Sequence, residues 1–187
     1  MDFFSAAERS MSMDERVWMR HASPWSVWTR FSILPLLSVA IWSRVWWGGW
    51  ALLPTGRMLL WTWLNPRAFP APSRTDTWAS KGTFGERVFL ERRKTDVPRH
   101  HLAAANVLSL LTFLGLFPWG YGLWVLDMGM VISGLSVMIL SKAWFLDRMV
   151  WIYEDLKHLD PQYASWLRGG PSCETRDLPP PGGPDHP

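Results

Sequence analysis

Long apolar blocks dominate the sequence and limit the chain to a few kinds of fold. Three of them occupy roughly residues 25–46, 102–125 and 128–145, and a shorter one covers residues 50–64. A helix needs about 20 consecutive, mainly apolar residues to cross a bilayer. Most of the fifteen tryptophans lie at the edges of these blocks, where indole rings favour the headgroup level of a membrane. The pattern predicts a small membrane protein that crosses the bilayer several times.

The composition supports a membrane protein and indicates which kinds of partner it binds. The mean hydropathy of −0.02 averages the apolar blocks with a polar, basic middle. The single Cys173 excludes an internal disulfide and a cysteine-only metal site. The net charge of +3 suits anionic lipid headgroups. Because the basic residues flank the apolar blocks, we expect no nucleic-acid partner.

The first predicted hairpin covers residues 25–64, and its second half leaves two alternatives open. Residues 50–64 are few for a full span, and they contain Pro54 and Arg57. A charge at the bilayer centre costs about 2.5–3.5 kcal/mol on insertion scales. Either the segment spans the membrane with Arg57 facing the other helices, or it is broken, with residues 46–55 lying in the interface.

The segments before and after this hairpin are polar. Residues 1–24 are predicted to form an N-terminal segment with a short helix from Met13 to His21, begun by a capping box of Ser12 and Glu15. No secretory signal peptide is recognisable there. Residues 65–101 form a basic loop with a short amphipathic helix, and its cations are Arg67, Arg74, Lys81, Arg87, Arg92, Arg93, Lys94 and Arg99.

The loop charges predict the orientation in the membrane. Short loops rich in Lys and Arg remain in the cytoplasm, whereas acidic residues count for little. The basic loop and both termini are therefore predicted to be cytoplasmic, in a cytoplasmic (inner) membrane that the chain crosses several times. Residues 102–159 form the second hairpin, whose last helix continues into the cytoplasm. Residues 160–187 are rich in Pro and Gly and are expected to be a disordered tail.

The resulting fold class is all-α: an integral membrane four-helix bundle made of two hairpins. Several sequence blocks also occur together in a known family, namely PWSVWTRF at residues 24–31, WLNPR at 63–67, GERV at 85–88 and WFLDRMVW at 144–151. The chain resembles a family of small bacterial and archaeal membrane proteins, a domain of unknown function, over about residues 20–157. Ser23 stands where that family leads us to expect Asn, and Arg57 where it leads us to expect an apolar residue. The resemblance implies an integral membrane protein and supplies no activity.

Histidines and carboxylates near the predicted cytoplasmic face are the candidates for chemistry. Histidine together with carboxylates binds zinc, iron or manganese, and a carboxylate can also serve as an acid or base. The candidate catalytic residues are Glu86, Asp147 and Glu154, the candidate metal ligands are His100, His101 and Glu154, and His21 completes the cluster. No tight ligand motif joins them. The alternative is that these side chains pair with arginines and hold the loop against the bundle. We favour this structural role and therefore expect no cofactor, with a bound metal as the second possibility.

Two further groups are predicted at the membrane boundary. Asp147 and Arg148 lie where the last span leaves the bilayer, and an ionisable pair at such a depth is a functional-site hypothesis by default. We favour a structural anchor, in which a carboxylate binds Arg148 or Arg87 in bidentate geometry. The predicted lipid-facing cations of the loop are Arg92, Arg93 and Lys94.

The sequence thus predicts a structural, accessory or interaction protein of the membrane. We expect a non-enzymatic role rather than an enzymatic one. The alternative is a membrane-embedded enzyme that uses the cytoplasmic histidine and carboxylate cluster. The expected partners are the lipid bilayer, anionic lipids and another membrane protein. A homo-oligomer stays open.

Overall fold

The computed structural model describes residues 15–91 and 97–169, and every regular element within those ranges is a helix. This confirms the all-α class. In chain order the helices are α1 (Glu15–His21), α2 (Pro24–Trp42), α3 (Arg44–Trp47), α4 (Leu52–Ala68), α5 (Trp78–Leu90), α6 (Arg99–Val125), α7 (Met128–Leu156) and α8 (Pro161–Ser165), with a 3₁₀ turn at Gly48–Ala51.

Three helical stretches have the length and apolar composition needed to cross a membrane: Pro24–Ala68, Arg99–Val125 and Met128–Leu156. The first stretch contains α2 to α4 and folds back on itself. Near its two ends, the hydroxyl of Ser26 donates a hydrogen bond of 3.0 Å to the amide oxygen of Asn65. Helices α2 and α4 are therefore antiparallel neighbours.

The segment with two open alternatives resolves into a turn followed by an unbroken helix. α4 has seventeen residues, which correspond to about 26 Å at 1.5 Å per residue. Pro54 lies in its first turn, where a missing N–H is tolerated. Gly48 has a φ of 53°, a conformation that favours glycine. The irregular part thus lies before Leu52, and Arg57 lies on a regular helix.

Helices α6 and α7 pack closely because glycines face the partner helix. A Cβ atom on Gly134 would lie 2.5 Å from the backbone nitrogen of Trp119, and one on Gly122 would lie 2.7 Å from the nitrogen of Val131. Small residues allow such an approach in membrane helices. The carboxylate of Asp127 then starts α7 by accepting a hydrogen bond of 2.9 Å from the backbone N–H of Met130.

Arg44 joins the two helical hairpins at the end where the Gly48 turn lies. Its guanidinium donates to the backbone oxygen of Trp124 at 2.8 Å and to that of Leu123. The last carbonyl groups of a helix have no partner within the helix, and a cation at that end is favourable. Nearby, the indole N–H of Trp119 donates to the hydroxyl of Ser38 at 2.8 Å.

The main buried core lies at the opposite end of the molecule. Helix α5, the beginning of α6, the end of α7 and α8 build it from Phe84, Val88, Phe89, Ala105, Leu108, Phe145, Met149, Ile152, Tyr153, Leu156, Tyr163 and Trp166. We call this part the polar end; it comprises α1, α5 and α8 with residues 97–108 and 142–156.

Outside the polar end, the long helices carry large apolar side chains on their surface. Leu36, Leu59, Phe117 and Leu140 are all at least half exposed. Monomeric soluble proteins rarely expose a continuous apolar surface larger than a few hundred Å². The surface is typical of helices that contact lipid chains.

The two ends of the chain differ in how far the structure describes them. Ser12, which begins the predicted capping box, lies outside the described residues. The predicted disordered tail began at residue 160, and this boundary is wrong for the segment up to Gly169. Asp160 caps α8 by accepting a hydrogen bond of 2.8 Å from the backbone of Gln162, and an Asp-Pro pair is as suitable for starting a helix as for ending one.

Buried aromatic rings explain why this last segment packs against the rest. Tyr163 and Trp166 belong to the core, and the hydroxyl of Tyr153 donates to the backbone oxygen of Tyr163 at 2.9 Å. The buried Thr75 adds backbone pairing, because its N–H donates to the oxygen of Arg168 at 3.0 Å and its hydroxyl to the oxygen of Trp166 at 2.7 Å.

Candidate functional site

The candidate site is the contact between α5 and α7, which two glycines make unusually close. Thr77 begins α5 because its side-chain oxygen accepts a hydrogen bond of 3.2 Å from the N–H of Ser80. A Cβ atom on Gly85 would lie 1.8 Å from the backbone oxygen of Met149, and one on Gly82 would lie 2.7 Å from the side chain of Leu146. The polar side chains that flank this crossing are brought together across it.

Glu86 and Lys142 form the first pair across the crossing. The Lys142 ammonium lies 2.6 Å from the Glu86 carboxylate, whose side chain is 14% exposed. Burial alone would raise the pKa of Glu86, but the charges of Lys142 and Arg30, with the hydrogen bond from Lys142, outweigh it and lower the pKa below its usual range. Glu86 is therefore an ionised carboxylate at neutral pH.

His21 lies beside this pair in a neutral form. Burial, together with the positive charges of Arg30 and Lys142, holds the pKa of His21 well below its ordinary value. The guanidinium of Arg30 contacts Nε2 of His21, and because a guanidinium can only donate, the ring proton belongs on Nδ1. This Nδ1 is buried and has no hydrogen-bond partner among the described residues.

A small cavity opens where α2, α5 and α7 meet. It has a volume of about 80 Å³ and is lined by Arg30, Glu86 and Lys142 together with apolar side chains. We call it the junction cavity. This volume is large enough to admit water. Chemically, it offers two cations and one carboxylate at the edge of an apolar region.

Asp147 and Glu154 contact α5 further along α7. The indole N–H of Trp78 donates to the Asp147 carboxylate at 3.0 Å. Glu154 lies between two ammonium groups, with Lys81 at 2.5 Å and Lys157 on its other oxygen. Each carboxylate is thus held by a side chain with a complementary charge or donor.

The residues predicted as an anchor lie in this region, where Asp147 has a different partner from the expected arginine. Asp147 is bound by Trp78 rather than by an arginine. The guanidinium of Arg87 lies over the ring of Trp166, 4.4 Å from its centroid. Arg148 is half-buried, and its Nε has no partner among the described residues. Opposite charges in a sequence indicate an ion pair, whereas an indole donor such as that of Trp78 carries no charge to indicate it.

The predicted metal ligands are not gathered into one site. Nε2 of His101 lies 3.0 Å from the Asp155 carboxylate, and His100 packs against the His101 ring at a centroid distance of 4.1 Å. Glu154 is held by lysines instead. Across residues 15–91 and 97–169, no three His, Cys, Asp or Glu side chains lie together in a way that could hold a metal ion. The predicted lipid-facing residues Arg92, Arg93 and Lys94 lie outside the described ranges.

Sequence reasoning missed the partners of these carboxylates and one polar link in the hairpin. Trp78, Lys81 and Lys142 were not singled out as site residues. The buried Asn65 was also missed; it accepts from Ser26 and donates to the Thr29 hydroxyl at 2.7 Å. The available signal was that Asn65 lies within one of the sequence blocks quoted above.

A comparison with known families identifies the group to which this sequence belongs. A family described as a family of unknown function, DUF6653, matches residues 5–171. The chain belongs to DUF6653. The match spans the apolar helices and the polar end together, including α8, which the resemblance over residues 20–157 left out. No curated protein and no solved structure matches the chain.

Proposed function

We propose that this DUF6653 protein is a scaffold or accessory subunit of the cytoplasmic membrane, with a non-enzymatic interaction role. The observation that carries the proposal is the way its carboxylates are used. Glu86, Asp147 and Glu154 each contact a side chain of α5 or α7, and these contacts join the two helices. These contacts stabilise the polar end as a rigid surface outside the membrane. A rigid surface of this kind suits the binding of a partner protein.

In this proposal α2, α4, α6 and α7 cross the bilayer as two antiparallel hairpins. The polar end, both termini and residues 65–101 lie in the cytoplasm, since the basic loop belongs on that side. The exposed apolar side chains of the long helices support the membrane location. The proposed partners are the bilayer, anionic lipids at Arg92, Arg93 and Lys94, and another membrane protein or a second copy of the chain.

Cysteine labelling tests the orientation. The chain has one natural cysteine, so Cys173→Ser provides a background without thiols. Ser73→Cys and Gly49→Cys then place one thiol near the polar end and one in the turn at the other end, both at exposed positions. A membrane-impermeant maleimide should label Gly49→Cys in cells with a permeable outer envelope, and Ser73→Cys only after the inner membrane is opened. The reverse pattern would contradict the orientation.

Purification from native membranes tests the interaction role. A tagged full-length chain should retain a second membrane protein in a fixed ratio, whereas an unrelated tagged protein from the same membrane should not. We expect this ratio to survive repeated washing in mild detergent. Purification of the chain alone, under conditions that preserve known complexes of the same membrane, would contradict the interaction role.

The second candidate is a membrane-embedded enzyme, and the junction cavity favours it. A neutral imidazole near a cavity lined by cations resembles the surroundings of a general base. Metal analysis of detergent-purified protein separates the two candidates. A metal present in a one-to-one ratio and lost in His21→Ala, which changes the imidazole beside the junction cavity, would support the enzyme and contradict the scaffold.

A further inference from the structure

A second cleft lies on the membrane-facing side of the first hairpin, away from the polar end. It runs between α2 and α4 and has a volume of about 600 Å³, within the range of sites for small molecules. We call it the lateral cleft. On α4 it extends from Pro54 to Leu64, about 15 Å along the helix axis. Apolar side chains such as Leu36, Val39 and Leu60 form most of its lining.

One cation faces this apolar surface. Among the described residues that line the lateral cleft, Arg57 alone is charged. Its side chain makes no hydrogen bond or ion pair with any residue in the described ranges. The sequence also contains no Asp or Glu between residues 17 and 75, so the hairpin itself offers no carboxylate. Asp127, at the same end of the molecule, caps α7.

The position of Arg57 along α4 brings it near a membrane surface. It lies five residues from the start of the helix at Leu52, or about 8 Å, and eight residues from Asn65, or about 12 Å. The exposed side chains of Trp46, Trp47 and Trp50 lie at the nearer end, and tryptophan favours the headgroup level. The long stem of an arginine lets its guanidinium extend toward that level.

We propose that the lateral cleft binds one anionic phospholipid from the leaflet on the Gly48 side. The lipid phosphate binds the guanidinium of Arg57, which matches a phosphate in bidentate geometry. An acyl chain lies along the apolar lining between α2 and α4. An anionic headgroup is preferred over a zwitterionic one because the latter brings an ammonium group close to Arg57. This site is additional to the proposed scaffold role and independent of it.

Lipid binding by the full-length protein tests this site. Phosphatidylglycerol or phosphatidylethanolamine with identical acyl chains is added to detergent-purified protein, and bound lipid is counted by native mass spectrometry. The wild-type protein should retain one phosphatidylglycerol at the lateral cleft, besides any lipid at Arg92, Arg93 and Lys94, in preference to phosphatidylethanolamine. Arg57→Gln should weaken the retention of phosphatidylglycerol by about tenfold, which corresponds to 1.4 kcal/mol. Arg99→Gln, the same change at an exposed arginine on α6, should retain the lipid as the wild type does.

A second variant tests the cleft without changing its charge. Val39→Trp fills the lateral cleft, and Leu59→Trp introduces the same side chain at an exposed position of α4 that does not line it. We expect Val39→Trp to lower lipid retention and Leu59→Trp to leave it unchanged. Equal retention by wild type and Arg57→Gln would overturn the proposal, as would equal losses in Arg57→Gln and Arg99→Gln. A dimer that Arg57→Gln dissociates would assign the cleft to a second copy instead.

Discussion

Replacing Gly85 with alanine tests the closest contact between α5 and α7. The added Cβ would lie 1.8 Å from the backbone oxygen of Met149, whereas a carbon and a carbonyl oxygen normally approach to about 3.3–3.6 Å. The two helices must therefore separate by about 1.5 Å. The obstacle is a backbone atom, which cannot turn aside as a side chain does.

The expected loss follows from two opposing contributions. Inserting a methyl group into a packed contact costs about 1–3 kcal/mol, and a backbone neighbour places Gly85→Ala at the upper end. Alanine then recovers up to about 1 kcal/mol because its helix propensity is higher than that of glycine. The net loss of unfolding free energy is about 2 kcal/mol. For a chain of this size, it corresponds to a decrease in Tm of about 4–8 °C.

Thermal unfolding in one detergent, monitored by circular dichroism, measures this effect. Gly82→Ala should cost less, because its nearest neighbour is the movable side chain of Leu146. Gly120→Ala is the control, since nothing lies within 4 Å of its added Cβ, and it should melt at or slightly above the wild-type temperature. If Gly85→Ala has the same Tm as Gly120→Ala, the close contact between α5 and α7 is refuted.

Two further predictions concern the polar side chains beside this contact. Because the fold holds the pKa of His21 below its ordinary value of 6.5, the unfolded chain binds the proton more readily, and stability should fall below about pH 6.5 by up to about 1.4 kcal/mol per pH unit. His21→Gln should reduce the difference in Tm between pH 7.5 and 5.5, and an unchanged difference would contradict a buried neutral imidazole. Trp78→Phe removes the donor to Asp147 and should lower the unfolding free energy by about 1–3 kcal/mol, whereas Trp151→Phe, 55% exposed, should change it by less than about 0.5 kcal/mol. Asp147→Asn should cost less than Trp78→Phe because its amide oxygen still accepts, and equal melting of the two tryptophan variants would refute the contact.

The helices of the second hairpin could be predicted from the sequence because their signals are local. The apolar block predicted at residues 102–125 corresponds to α6 at Arg99–Val125. The next block begins at Met128, directly after Asp127, whose short side chain caps a helix in any fold. Length, apolar composition and a capping residue are all properties of neighbouring residues. These signals can be recognised without knowing which residues far away in the sequence contact the helix.

The contacts of the candidate site could not be predicted in the same way. Trp78 and Asp147 are separated by 69 positions, and the separation between Glu86 and Lys142 is 56. Their pairing depends on where α5 crosses α7, which Gly82 and Gly85 determine through close contact. Several donors and acceptors of suitable charge exist for each carboxylate. Only the position of the crossing decides among them.

From the location of the core we expect the polar end to contribute more to the stability of the chain than the apolar helices do. Lipid chains are as apolar as leucine, so helices within a bilayer gain no hydrophobic driving force from contacting each other. Burial from water stabilises by about 25 cal/mol per Å² of apolar surface, and this contribution is available to the core around Phe84 and Tyr153. The hairpin of α2 and α4 relies instead on polar links such as those of Asn65. Changes at the polar end should therefore affect unfolding more than equal changes on the lipid-facing surface, which leaves that surface free to vary with its lipid contacts.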